Sequence, residues 1–189
     1  MQEIKIEKAK ALKQKPDFTK LGFGKYFTDH MFVMEYTEGE GWQNPRIVPF
    51  DYIPIHPAST VLHYGAEIFE GMKAYKTADG YQMFRPLENI KRMNDSAERL
   101  CLPTLPEEFT LKALTELINL DYEWIPDQDG TSLYIRPFMF GNDESLGVHA
   151  VNNATYMIIA SPVGSYYKEG INPVKIMIEA EDVRAVRGG

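Results

Sequence analysis

Two arginines in this sequence carry charge in settings that need an explanation. Arg136 lies inside "SLYIRPFMFG" (132–141), an otherwise apolar run. A buried guanidinium requires an anionic partner, because an unpaired charge is costly to take out of water. Its planar fork suits a carboxylate, supplied either by the fold or by a ligand, and the residues leave both open. Arg92 lies in "PLENIKRMNDSAERLCLP" (86–103), four residues after Glu88. A helical i,i+4 ion pair at the surface is its simplest account. A third stretch, "VLHYGAEIFEGMKAY" (61–75), gathers Tyr64, Phe69 and Tyr75 around Gly65 and Gly71. Core packing beside tight turns explains it as composition.

Other chemistries find little support. "GFGKYF" has G-x-G without a third glycine or a preceding strand-type run, and no P-loop or G-x-S-x-G elbow occurs. His30, His56, His63 and His149 are scattered; only His63 and Glu67 could share a helical face, which is a weak metal site, so no metal is expected. With Cys101 as the single cysteine, neither a disulfide framework nor a thiolate cluster is expected.

The elements that must position these residues follow from periodicity. "MFVMEY" (31–36) and "RIVPF" (46–50) are extended runs, and "KAYKTADGYQMFR" (73–85) predicts a hairpin around Asp79-Gly80. Pro86 opens a helix with Ile90, Met93, Ala97 and Leu100 on one face and Glu88/Arg92 and Asp95/Arg99 as ion pairs. "PEEFTLKALTELINLDYEWIP" predicts a second helix, its stripe running through Leu114, Leu117, Ile118 and Tyr122 until Pro126 stops it. "TSLYIRPFMFG" and "ATYMIIASPV" are buried strands. The expected layout is an α+β domain over 1–163, a linker over 164–173, and over 174–189 the start of a further domain, with "VKIMIEA" as its first strand.

The chain has 189 residues, 44% of them hydrophobic, which suffices for a core. A formal charge of −7 argues against a nucleic-acid partner. Residues 1–20 oppose that trend, with Lys5, Lys8, Lys10, Lys13, Lys15 and Lys20 against three acids; they lack the Arg-rich, acid-poor character of a transit peptide. A solvated N-terminal arm is the expectation. Without an apolar run of about 18 residues, no membrane span is expected, and the whole points to a cytoplasmic protein.

In order and at the expected separations, "FGKYFTDHMF", "HPASTVLHYGAEIFEGMKAYK", "MFRPLENIKRM", "SLYIRPFMFG", "SLGV", "SPVGSYY" and "VRAVRGG" resemble the N-terminal half of the branched-chain amino-acid aminotransferases. These are fold-type IV pyridoxal-phosphate enzymes, whose small domain is a mixed or antiparallel sheet flanked by helices. The resemblance implies transamination of leucine, isoleucine or valine with 2-oxoglutarate, and a homodimer. It places Arg92 at the cofactor phosphate, and Phe23, Phe69, Tyr134 and Tyr166 on the wall for the branched side chain. Arg136 would receive the distal carboxylate of glutamate or 2-oxoglutarate, while Tyr64, Leu146 and Val148 would reach into the neighbouring subunit's site. The Schiff-base lysine of the family would lie beyond Gly189, and neither Lys168 nor Lys175 matches it, so the chain alone is expected to be inactive. Two rivals remain: another fold-type IV activity, such as a D-amino-acid aminotransferase or aminodeoxychorismate lyase, and a stand-alone binding module.

Overall fold

The computed structural model describes residues 3–165 and 172–182. Its strands are β1 (Lys5–Ile6), β2 (His30–Thr37), β3 (Gly41–Pro49), β4 (Glu67–Phe69), β5 (Met72–Thr77), β6 (Gly80–Met83), β7 (Ser132–Gly141) and β8 (Asn153–Val163). Its helices are α1 (Thr60–Tyr64), α2 (Pro86–Arg99) and α3 (Glu107–Leu120), with a 3-10 turn at Tyr122–Trp124. The strands form one sheet in the order β1-β3-β2-β8-β7-β5-β6, with β4 also paired to β7. The β1–β3 pairing is parallel and the rest are antiparallel, so the fold is the expected α+β class.

Strand alternation divides the side chains between two faces. One face carries Phe32 and Met34 of β2, Leu133, Ile135 and Met139 of β7, and Tyr156 and Ile158 of β8, against Met93 of α2 and Leu114, Leu117 and Ile118 of α3. That is the main core. The opposite face carries a smaller apolar cluster of Met31, Val33, Phe140 and Met157, capped by Val61 of α1. Tyr134, Arg136 and Phe138 alternate with the core residues of β7 and therefore share this second face.

The interruption between β4 and β5 has an identifiable cause. Phe69 faces Phe138 and Met72 faces Ile135, so both strands advance three residues and the register is unbroken. Between them, the Glu70 N–H donates to the Pro137 carbonyl at 2.9 Å, but Pro137 has no N–H to return. The ladder thus opens at residues 70–71 while the alternation of faces continues through it.

Several expectations need correction. The predicted second helix ends at Leu120, because the Asp121 carboxylate turns inward to accept the His30 N–H at 2.9 Å and His30 Nδ1 at 2.7 Å. The N-terminal segment is largely exposed, as a solvated arm would be, but it is tethered to the domain at several points. Ile4 is buried, β1 pairs with β3, the Ala9 N–H donates to His30 Nε2 at 2.9 Å, and the Lys13 N–H donates to Asp29 Oδ1 at 2.7 Å. Lys13 Nζ donates to the Thr28 carbonyl at 2.7 Å and lies 4.3 Å from the Phe50 ring centroid. "VKIMIEA" forms no strand: it pairs with none of the described strands, and Ile176, Met177 and Ile178 are exposed.

Candidate active site

Phe69, Glu70 and Gly71, the residues around the ladder interruption, each hold a different side chain. Phe69 lies under Arg136, whose Cζ is 4.1 Å from the ring centroid, a cation–π distance. Arg136 also donates from Nε and Nη2 to the Tyr134 hydroxyl at 3.0 and 2.7 Å. Among the described residues no carboxylate lies within ion-pair distance of Arg136. Of the two partners left open by the sequence, the described residues do not supply the anion; they provide a neutral phenol and an aromatic face.

Gly71 makes this arrangement possible by close approach. A Cβ on Gly71 would stand 2.5 Å from the Tyr134 hydroxyl oxygen and 3.1 Å from two ring carbons, so a side chain there would displace the phenol on which Arg136 rests. The Tyr134 ring also packs against Phe23 at 5.0 Å between centroids. Phe23, Phe27, Tyr134, Arg136 and Ile159 line a largely apolar cleft of about 210 Å³. Its lining, apolar with a few polar groups, is typical of a small-molecule site.

Arg92 does not pair with Glu88, which instead bonds Lys91 at 3.1 Å and lies 3.6 Å from Arg85. It reaches across to Glu70, donating from Nε to Oε1 at 2.6 Å and from Nη2 to Oε2 at 2.8 Å. The two partners are unequal: the Glu70 side chain is 7% exposed and that of Arg92 is 66% exposed. Asn89 Nδ2 adds a hydrogen bond to Glu70 Oε2 at 3.0 Å, and the Gly71 N–H adds another at 3.3 Å. Burial alone pushes the Glu70 carboxyl up, but the hydrogen bonds of Arg92 and Asn89, with the Arg92 charge, outweigh it and hold the group below the usual carboxylate range. Arg92 borders a groove shared with Phe69, Ser96 and Arg99.

The remaining predicted residues are distributed differently. Tyr64, at the end of α1, donates its hydroxyl to the Leu146 carbonyl; both residues and Val148 are exposed. They occupy α1 and the β7–β8 connection rather than the strand face that carries Arg136. Tyr166 lies outside the described residues. His63 bonds the Pro57 carbonyl at 2.9 Å instead of pairing with Glu67, and among the described residues no group of three or more potential ligands could hold a metal ion. Sequence reasoning missed Glu70. Its signal was an acid beside a strand's apolar residues, masked by the nearer Glu88 that offered Arg92 a local partner.

No protein-family model matches the chain. It is 54% identical over 98% of its length to the branched-chain-amino-acid transaminase 1 of Bacillus subtilis (strain 168), and 51% identical over 100% of its length to the branched-chain-amino-acid aminotransferase 2 of the same organism. The chain spans about half the length of these curated relatives, 53% and 52%. Its fold matches the branched-chain aminotransferase of Thermoproteus uzoniensis, crystallised with norvaline, with a TM-score of 0.59 and 26% identity over 74% of this chain and 43% of that one. A T.th. branched-chain aminotransferase complexed with N-(5'-phosphopyridoxyl)-L-glutamate matches with a TM-score of 0.53 and 29% identity, covering 75% of this chain and 40% of that one. By sequence over its whole length, and by fold over three quarters of it, the chain is similar to the N-terminal part of the fold-type IV branched-chain aminotransferases.

Proposed function

We propose that the chain supplies the substrate-facing part of a pyridoxal-phosphate-dependent transaminase that moves the amino group of leucine, isoleucine or valine to 2-oxoglutarate. The observation that carries this reading is Arg136, a cation resting on Tyr134 and Phe69 beside an apolar cleft, without a carboxylate of the fold among the described residues. A site that must accept an aliphatic side chain in one half-reaction and a carboxylate in the other needs such a charge. The phenol and ring shield it while an apolar group is bound, and the fork remains able to donate to a distal carboxylate. Phe23, Phe69, Tyr134 and Tyr166 exclude water from the branched side chain.

Arg92 fits the cofactor phosphate. Glu70 engages its Nε and Nη2, which leaves Nη1 and the outward N–H of Nη2 for a second acceptor. When bound, pyridoxal phosphate supplies the electron sink for amino transfer. In this reading residues 1–163 are the small domain, 164–173 the linker and 174–189 the start of a second domain, which the exposure of Ile176, Met177 and Ile178 supports. The protein works as a homodimer, with Tyr64, Leu146 and Val148 facing the neighbouring subunit's site.

A polypeptide carrying this chain at the length of its relatives should form glutamate from leucine and 2-oxoglutarate, and the 189-residue chain alone should not exceed the non-enzymatic rate. In that longer protein, Arg136→Met should raise KM for 2-oxoglutarate by roughly 10- to 100-fold, the scale of a lost charged hydrogen bond, with leucine KM nearly unchanged. Equal losses for both substrates, or turnover confined to D-amino acids, would overturn the reading.

A further inference from the structure

We propose that Glu70 is a positioning residue for the phosphate site: it fixes one edge of the Arg92 guanidinium so that the opposite edge is presented to a phosphate monoester. This rests on the assignment of Arg92 to the cofactor phosphate and adds the group that makes Arg92 effective. An arginine side chain as exposed as Arg92 samples many rotamers, and ordering it on binding weakens the interaction. Here the ordering is done in advance. Both Glu70 oxygens are used, Oε1 toward Nε and Oε2 toward Nη2, so the guanidinium plane is set as well as its position. Glu70 is itself held by Asn89 and by the Gly71 N–H, at a break in the ladder where its backbone is fixed by Pro137.

A bland alternative is that the pair only ties α2 to β4. The asymmetry of burial argues against it. A tie between a helix and a strand needs no charge, and apolar contacts would make it without desolvating a carboxylate. What an apolar contact cannot do is orient a cation that remains two-thirds exposed. The unused edge carries two parallel N–H groups, the fork that matches two phosphate oxygens.

The test compares pyridoxal 5'-phosphate with pyridoxal, which lacks the phosphate, by calorimetric titration of the full chain. A carboxylate close to a phosphate repels it, so the two roles predict opposite signs for Glu70→Gln. As a positioning residue, its replacement should weaken pyridoxal 5'-phosphate by roughly three- to ten-fold and leave pyridoxal unchanged. As a mere tie or neutralising charge, its replacement should leave pyridoxal 5'-phosphate equal or tighter, which would overturn the proposal. Glu70→Asp, which keeps the charge but is one methylene too short to reach both nitrogens, should give the same phosphate-specific weakening and covers the case in which Glu70→Gln does not fold. Arg92→Ala separates the two layers. If it weakens pyridoxal 5'-phosphate while the Glu70 variants do not, the Glu70 role is wrong and the Arg92 site stands. If it has no phosphate-specific effect, both fall.

Discussion

Gly71 illustrates how much one hydrogen atom in place of a side chain can determine. Gly71→Ala would drive a methyl group into the Tyr134 hydroxyl, 2.5 Å away, and Tyr134 would have to leave Arg136. Overpacking of this kind costs about 1–3 kcal/mol, so urea unfolding should shift by that amount, and the Phe23–Tyr134 contact should be lost with it. Glu70 makes a second prediction, in acid. Its folded carboxyl titrates below its unfolded value of about 4.3. The stabilisation it gives is therefore complete above that value and lost as pH falls through the folded value. Glu70→Gln should flatten the acid limb of a stability-versus-pH curve below about pH 4.3 and leave its slope near neutrality unchanged. The sequence made Arg136 conspicuous because a cation in an apolar strand is unusual, whereas Tyr134 was indicated only by the family resemblance. It could not make Glu70 conspicuous, since the partner of Arg92 is 22 residues away and a nearer acid fitted helical spacing.

At the scale of elements, periodicity was informative wherever a face is buried. The β5–β6 hairpin, α2, β7 and β8 all form where alternation or helical spacing placed them. The N-terminal arm failed this logic because it is held by groups that leave no apolar pattern. Backbone N–H groups of Ala9 and Lys13 bind buried side chains, and the lysine ammonium groups lie over aromatic rings, Lys13 on Phe50 and Lys15 on Trp124 at 5.4 Å. A charged segment attached in this way has the composition of a free one. Asp29 is the test, because it accepts from both the Lys13 N–H and Trp124 Nε1, the latter at 2.7 Å. Asp29→Ala should orphan both donors and destabilise the fold by about 1–3 kcal/mol. The same variant should be cut faster by trypsin between Lys8 and Lys15; unchanged cleavage would mean that the arm is held elsewhere.

For the molecule as a whole, the sheet separates two tasks. One face is closed by α2 and α3 over the main core, and the other carries the aromatic residues and Arg136 that line the cleft. The strand segment through Phe69, Glu70 and Gly71 serves both, because alternation sends Phe69 toward one side and Glu70 toward the other. This division was legible only in part. Residue patterns indicated which side chains face apart along each strand, but the meeting of β4, α2 and β7 depends on long-range pairing that no local spacing encodes.

The ladder interruption also bears on self-association. Among the described residues β4 has a strand on one side only, and a bare edge is a template for a second chain to add to. Arg92, reaching from α2 to Glu70, lays a charged side chain beside that edge, and charge is a common guard against such growth. Arg92→Ala should therefore scatter more light than the unaltered chain when both are concentrated at neutral pH, and added salt should narrow the gap by screening the charges that keep other copies of the unaltered chain away. An ion pair that orients one arginine would then also help to keep the protein from polymerising.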